Sequence, residues 1–252
     1  MKRYSIAFFT LFTCIISGTS QAQNIKDSSL FFPLFRFSFA LQVPGGDMAE
    51  RFGINSNVGL DFSIKTKSNF IVGVNGGFLF GDRIKEGGIL DSIRTSTGII
   101  INQNGNPAEV RLFERGFTVA MHVGKLFPVL SPNKNSGIVV YAGPVYMSHK
   151  IRIDDIGRQS PQLLNAYKKG YDRLTAGLGV QEYIGYMYMS NKRMLNFFFG
   201  FELMQGFTKS QRSYDYDLRQ ADTDKRIDML SGFRIGWVLP LYTRHPQEFY
   251  YH

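Results

Sequence analysis

Apolar and polar residues alternate along most of this chain, with apolar and often aromatic residues at every second position. The clearest stretch runs from Leu195 to Leu203, where every odd-numbered residue is leucine or phenylalanine, while Asn196, Gly200 and Glu202 occupy the other face. A period of two is typical of a β-strand that differs between its two faces. The chain is therefore predicted to be all-β.

The same alternation predicts about eight strands. Their predicted bounds are 34–43, 54–66, 70–81, 116–127, 137–148, 173–189, 194–207 and 226–242. Short turns at 67–69, 128–136 and 190–193 join some neighbours, and long connections cover 44–53, 82–115, 149–172 and 208–225. Short turns at one end and long loops at the other are typical of outer-membrane barrels, with both termini on the periplasmic side. We predict a closed antiparallel transmembrane β-barrel with long extracellular loops and short periplasmic turns.

The two faces of the strands indicate which side meets lipid. The face with bulky residues is uninterrupted, whereas the other carries polar and charged groups. The latter include Arg36, Asp61, Lys65, Asn75, His122, Asn196, Glu202 and Arg234. A soluble barrel would have an apolar inside and a charged outside, so the pattern favours an apolar exterior in a membrane. The 23 Phe and 13 Tyr agree with this, since aromatic rings suit the acyl region and its interfaces.

Four aromatic residues are candidates for the girdle nearer the periplasm, with ordinary core packing as the alternative: Trp237, Tyr242, Tyr186 and Tyr188. Two residues fit the strands poorly. Strict alternation places Glu182 on the lipid side, which predicts a bulge or an interfacial depth. Pro144 within the fifth strand also predicts a bulge, because a closed sheet has no free edge for proline.

The N-terminus has the features of a secretory signal peptide. Lys2 and Arg3 precede an apolar run from Ile6 to Ile16, which is too short to span a membrane as a helix. We predict cleavage after Ala22, a single barrel domain over 34–242 and a periplasmic tail over 243–252. The predicted location is the outer membrane, where the barrel-assembly machinery and lipopolysaccharide are the expected partners.

The net charge and the cysteine content limit which ligands and which kinds of site this protein can have. The net charge is +9, and loss of Lys2 and Arg3 with the signal leaves +7, an excess that suits anionic partners. The third long loop holds six basic candidates for binding lipid phosphates, with a solvated polar loop as the alternative. They are Lys150, Arg152, Arg158, Lys168, Lys169 and Arg173. Cleavage would also remove Cys14, the only cysteine, which excludes disulfides, thiolate metal sites and a thiol nucleophile.

The lumen of an eight-stranded barrel is just wide enough for side chains to fill. Glu202 and Arg234 are predicted to face each other there on adjacent strands, with Arg36 and Asp61 as a second pair and His122 nearby. Each charge would be costly to bury alone. A satisfied polar core is the favoured interpretation, and a gate or proton path through the lumen is the alternative.

Catalytic residues are scarce in this sequence. Ser148 and His149 are neighbours in a strand, so their side chains point to opposite faces and cannot form a Ser-His dyad. No glycine loop for phosphate and no cluster with metal-ligand spacing is present. We therefore predict no catalytic residue, no metal, no cofactor and no binding of nucleic acid, and an enzyme such as a lipid A deacylase is the least favoured function.

Two local structures are predicted within the long loops. Asn104 and Gly105, between the apolar runs 99–101 and 110–112, predict a type I′ turn at the tip of a β-ribbon. Ser160 followed by Pro161 predicts the cap and first turn of a short helix through about Lys168.

Four segments resemble known proteins: Gly45 to Gly53 (GGDMAERFG), Tyr167 to Thr175 (YKKGYDRLT), Ser231 to Tyr242 (SGFRIGWVLPLY) and Phe249 to Tyr251. With them, the chain resembles small outer-membrane barrels of the OmpA/OmpX-like class. It is more closely similar to a Bacteroidota barrel family, with the PorT-like group as a weaker match. The pattern of Arg234, Gly236, Leu239 and Leu241 also resembles the signal that barrel-assembly machinery recognises in a final strand.

The sequence leaves two functions of different class open. The favoured one is a structural or interaction protein whose loops bind lipopolysaccharide or another surface or secretion component. The alternative is a narrow, gated transport barrel in which the inward charges would matter.

Overall fold

The computed structural model describes residues 28–164, 167–191 and 195–241. The predicted signal peptide, Tyr242 and the predicted tail lie outside these residues. Eight strands follow one another: β1 Phe32–Gly46, β2 Asn55–Lys65, β3 Phe70–Gly81, β4 Val110–Phe127, β5 Gly137–Asp155, β6 Thr175–Met189, β7 Asn196–Ser210 and β8 Lys225–Pro240. One short helix, α1 (Met48–Arg51), follows β1. In the described residues no helix has the length and hydropathy needed to cross a membrane.

Every strand pairs antiparallel with its neighbour in sequence, and β8 pairs with β1, so the sheet closes into a ring. The predicted closed barrel of eight strands is confirmed. A row of hydrogen-bonded neighbours followed once around the ring starts at Arg36 of β1 and returns to β1 at Gly46, ten residues further on. Such a stagger goes with strands tilted by roughly 40° from the barrel axis.

Side chains alternate between the lumen and the outside along each strand. Outward residues such as Leu178, Phe201 and Phe207 are about two thirds exposed (68%, 64% and 66%), whereas the inward Arg36 and Glu202 are each 2% exposed. A soluble protein of this size does not expose so continuous an apolar surface. The exterior is that of a transmembrane barrel.

The connections differ between the two ends of the barrel. Residues 47–54, 82–109, 156–174 and 211–224 connect strands at one end, here called the loop end. Residues 66–69, 128–136 and 190–195 connect them at the other, here called the turn end. Strands β4 and β5 continue towards the loop end beyond their predicted bounds, because Val110 still pairs with Asp155. The apolar alternation stops earlier, where charged residues take the outward positions.

The bulges predicted in β5 and β6 are wrong. Register is continuous on both sides of β6, and Glu182 points outward in the middle of the strand, not at an interface. Around Pro144, the β4–β5 ladder has the same register before and after a gap that spans Met121 and His122. Proline has no N–H to donate, so the ladder is interrupted here without an inserted residue.

Both local predictions for the long loops are also wrong in detail. Gly105 has a positive φ of 78° but Asn104 is not among the positive-φ residues, so the turn is not type I′. Asn102 Oδ1 accepts from the backbone of Asn104 and Asn106, and a single bridge joins Ile101 to Pro107. In place of a helix from Ser160, two 3₁₀ turns are present at Pro161–Leu163 and Tyr167–Gly170. The Ser160 side chain makes no capping bond.

The inside-out arrangement predicts a depth-dependent response to outward charges. Replacing Leu60, in the middle of β2, with arginine should lower the free energy of unfolding by about 2–4 kcal/mol, because the charge would lie near the bilayer centre. Ile64→Arg, near the turn end of the same strand, should cost about 0–1 kcal/mol. Denaturant titration in phospholipid vesicles measures both. Equal costs at the two positions would contradict a lipid-facing β2.

Candidate functional site

The lumen contains two ion pairs held by several strands. Arg36 Nε donates to Asp61 Oδ1 (2.9 Å) and Arg36 Nη2 to Asp61 Oδ2 (2.8 Å). His122 Nε2 lies 3.1 Å from Arg36 Nη2, and since arginine only donates, the ring nitrogen accepts. Ser63 Oγ also donates to Asp61. Alternation places these groups on inward positions of β1, β2 and β4. Arg36 and Asp61 are on neighbouring strands, and His122 reaches them from β4, beyond β3.

The second pair joins β7 to β8. Arg234 donates from Nε to Glu202 Oε2 (2.8 Å) and from Nη2 to Oε1 (2.7 Å), the bidentate geometry in which guanidinium–carboxylate pairs are strongest. Glu202 also accepts from the amides of Gln42 (3.0 Å) and Gln181 (2.7 Å). Arg234 donates to Ser38 Oγ as well (2.7 Å). Both lumenal pairs are thus surrounded by further hydrogen bonds, as buried charges require.

Side chains fill the space between these pairs. The cavity there is about 10 Å³, room for about one water molecule. An apolar layer that includes Leu34, Leu126 and Met187 lies on the turn-end side, and another that includes Leu79, Met147 and Leu230 lies on the loop-end side. A polar centre between two apolar layers offers no continuous aqueous path. The arrangement is suited to holding the barrel rigid.

The long loops are tied together by Arg173. Its guanidinium contacts three carboxylates: Glu86 Oε1 at 2.8 Å, Asp215 Oδ2 at 2.7 Å and Asp217 Oδ2 at 2.5 Å. Burial opposes the charged form, but these carboxylates outweigh it and raise the pKa of Arg173. Burial also raises the pKa of Asp215, although Arg173 acts against it. Three separate loops are therefore joined at one buried cation.

Arg173 was among the six candidates for binding lipid phosphates, and the structure places it apart from the others. It is 6% exposed and already paired with acids, so it is not accessible to an outside anion. Lys168 Nζ donates to the backbone of Ile153, at 3.1 Å. Lys150 and Arg152 have roughly half-exposed side chains on the extension of β5, and their carboxylate contacts are long, at 3.8 and 3.6 Å. Arg158 and Lys169 lie in the same loop.

Sequence reasoning missed four outward cations near Lys150 and Arg152 in height along the barrel, and one of them, Arg111 on β4, is already paired with Glu109. The other three have no such neighbour in their own strand. They are Arg115 on β4, Lys209 on β7 and Lys225 on β8, all on outward positions towards the loop end. We call these five residues the basic collar: Arg115, Lys150, Arg152, Lys209 and Lys225. Arg115 is directly opposite Lys150, and Lys209 is directly opposite Lys225. Like charges opposite one another repel, so the collar is an arrangement that an anion would stabilise.

Exposed aromatic residues lie on the loops above the collar. Tyr167, Tyr214 and Tyr216 are 60%, 46% and 39% exposed, and Leu218 of the same region is 48% exposed. The ring centroids of Tyr214 and Tyr216 are 6.1 Å apart. Tyrosines on a surface held rigid by ion pairs are typical of binding surfaces.

His149 has a different partner from its sequence neighbour Ser148. Its Nε2 lies 2.8 Å from Asp228 Oδ2, and Thr208 Oγ1 donates to the same oxygen, at 2.5 Å. All three side chains are buried. Asp228 is six residues before the inward Arg234 on β8, so it lies on the same face of the strand. This alternation could have identified it as an inward carboxylate from the sequence. Ser148 faces the other way, so the structure forms a buried His-Asp-Thr cluster and no Ser-His dyad.

The aromatic candidates occupy outward positions near the turn end. Trp237 is 57% exposed, and Tyr186 and Tyr188 lie on the outward face of β6. Tyr188 stacks with Phe197 at 5.0 Å between ring centroids. Tyr242 lies outside the described residues. Within the described ranges, no three His, Cys, Asp or Glu side chains are grouped so that they could hold a metal ion.

The Glu202–Arg234 pair predicts a strong non-additivity. Glu202→Leu or Arg234→Met alone should each lower the free energy of unfolding by about 3–5 kcal/mol, since either change leaves an uncompensated buried charge. The double variant should cost much less than the sum, because both charges are then removed. Denaturant unfolding in vesicles measures the cycle. Additive costs would show that the two side chains are not coupled.

Comparison with protein-family models finds no match, and neither does comparison with curated protein sequences. Among solved structures, the chain is similar to Ail, the attachment invasion locus protein of Yersinia pestis, at 7% identity over 82% of this chain and 97% of that chain, with a TM-score of 0.39. A second structure, described for asymmetric conductivity of engineered proteins, is 8% identical over 82% of this chain and 100% of that chain, with a TM-score of 0.13. The fold of this chain is given by its own strand register, which closes eight antiparallel strands into a ring.

Proposed function

We propose that this protein is a non-conducting outer-membrane barrel whose loop end binds surface lipopolysaccharide and presents a rigid surface to a further envelope component. The observation that carries the proposal is the filled lumen. With about 10 Å³ left between the ion pairs and apolar layers on either side, transport has no path. The side chains available for interaction, which are the basic collar and the exposed tyrosines of the loops, lie outside the lumen. No catalytic role is proposed.

The basic collar supports lipopolysaccharide as the ligand. Its five cations surround much of the barrel just beyond the apolar band, at the height where lipid phosphates would lie. Two of its cross-strand pairs are like-charged, Arg115 with Lys150 and Lys209 with Lys225, and bridging phosphates would relieve their repulsion. Lysine and arginine both bind phosphate well. On this proposal, the loop end lies at the cell surface and the turn end in the periplasm.

The exposed tyrosines of the loop end support a second contact, with a protein or other surface component. The Arg173 ion pairs hold loops 82–109, 156–174 and 211–224 together, so Tyr214 and Tyr216 are presented on an ordered surface. Binding by such a surface loses little conformational entropy. The resemblance to Bacteroidota barrels, with the PorT-like group as the weaker match, is compatible with this role.

Planar-bilayer recording tests whether the lumen conducts ions. Purified, folded protein should give no steady conductance, and Glu202→Gln should behave in the same way, because apolar layers close both sides of the polar centre. Steady conductance that shifts on Glu202→Gln would instead establish the narrow transport barrel.

Substitution of the basic collar tests lipopolysaccharide binding. In a variant with Lys150, Arg152, Lys209 and Lys225 replaced by glutamine, the rise in unfolding temperature caused by adding lipopolysaccharide to neutral vesicles should be largely lost. The same rise in the unchanged protein should shrink with salt, since exposed charges are screened. A control variant, Lys67→Gln with Lys125→Gln at the turn end, should keep the full effect. An unchanged rise in the collar variant would remove lipopolysaccharide from the proposal.

A further inference from the structure

Glu182 is the one charged side chain that points outward from the middle of a strand; the other outward charges on β1–β8 lie towards the loop end or the turn end. Its outward neighbours along β6, Val180 and Ile184, are 43% and 58% exposed. Within the described part of the chain, the Glu182 carboxyl has no hydrogen bond or ion pair. Ionisable residues inside a membrane are rare and generally have a partner.

The depth of Glu182 is close to the centre of the bilayer. It is seven residues from either end of β6, and Tyr188 of the aromatic girdle is six residues further along. At about 3.3 Å per residue and a tilt of roughly 40°, six residues correspond to roughly 15 Å, half of a hydrocarbon core about 30 Å thick. This is the depth at which an unpartnered carboxyl group is least favourable.

Small outward residues flank Glu182 on the β5 side. Ala142 is directly opposite it, and Pro144 is opposite Val180, one step along the same wall. Most other outward positions at mid-strand carry large side chains, such as Leu60, Met121, Phe201 and Phe233. The outer face of β5 therefore carries little side-chain bulk beside this carboxyl group. Small residues next to a polar side chain are what protein–protein contacts within membranes use, because they allow close approach.

We propose that this wall of β5 and β6 is the interface of a homodimer, in which the Glu182 carboxyl groups of two copies hydrogen-bond to each other at the bilayer centre. Two copies inserted in the same direction are related by a two-fold axis along the membrane normal. Rotation about that axis keeps every residue at its own depth, so Glu182 of one copy faces Glu182 of the other.

The chemistry of the carboxyl group favours a second copy as the occupant. A protonated carboxyl both donates and accepts one hydrogen bond, so two of them satisfy each other. A nearby outward polar side chain, Gln205 on the adjacent β7, is opposite Val180 and thus lies closer to the loop end. A different protein would have to bring its own polar group to this one depth.

Cross-linking tests the geometry in native outer membranes. The only cysteine, Cys14, lies in the predicted signal peptide, so an introduced cysteine would be the sole thiol after cleavage. Ala142→Cys should form a disulfide-linked dimer on mild oxidation. Leu60→Cys, an outward position on β2 on the far side of the ring, should not.

Substitution at Glu182 tests the chemistry. In proteoliposomes, energy transfer between labelled copies should show the dissociation constant rising about tenfold for Glu182→Leu, given the strength of hydrogen bonds between membrane segments. Glu182→Gln should stay close to the unchanged protein, since an amide also donates and accepts. Val180→Leu is the matched apolar control. Each variant is checked for folding by its resistance to unfolding in unheated detergent. Glu182→Leu should retain this resistance.

Four results would overturn the proposal. They are equal cross-linking at positions 142 and 60, association unaffected by Glu182→Leu, a cross-link from position 142 only to a chain of different mass, and a monomer under all conditions. The third would identify another membrane protein as the occupant, and the fourth would leave lipid alone against Glu182.

Discussion

Hydrocarbon offers no hydrogen bonds to the backbone, and this constraint governs the structure. Eight strands satisfy it only as a ring, with β8 paired to β1 and a stagger of ten residues around the circuit. The one gap in the ladders falls at Pro144, which has no N–H to donate. Because the ring is closed, this gap creates no free edge, and the register is the same on both sides of it. The missing donor therefore interrupts the β4–β5 ladder locally without shifting either strand.

Closure with eight strands also fixes the width of the lumen, and the lumen determines what the protein can do. A ring this narrow is filled by its own side chains. Arg36, Asp61, Glu202 and Arg234 pair inside it, and apolar layers lie on both sides of them. Interaction with other molecules is left to the outer surface and the loops. The basic collar and Glu182 are both on the outside, where charged groups in contact with lipid need a partner.

The sequence predicted well what depends on alternation between neighbouring strands. All eight strands were found, and the inward charges of adjacent strands, such as Glu202 and Arg234, lie together in the structure. Contacts between distant loops were missed, because no local pattern relates Arg173 to Glu86 or Asp215. Strand ends were placed too early where charges such as Lys150 replace apolar outward residues. The bulge expected at Glu182 followed from the cost of a charge in lipid, yet the register leaves it facing outward.

The apolar face of the sheet meets lipid, and the fluorescence of Trp237 reports this contact. It is the single tryptophan of the chain, and it lies on the outward face near the turn end. In vesicles of phospholipids brominated at different positions along the acyl chain, its fluorescence should be quenched strongly, most of all by bromines near the interface. Fluorescence that is unaffected by the brominated lipids but quenched by aqueous iodide would show that Trp237 faces water, and would contradict a lipid-facing apolar surface.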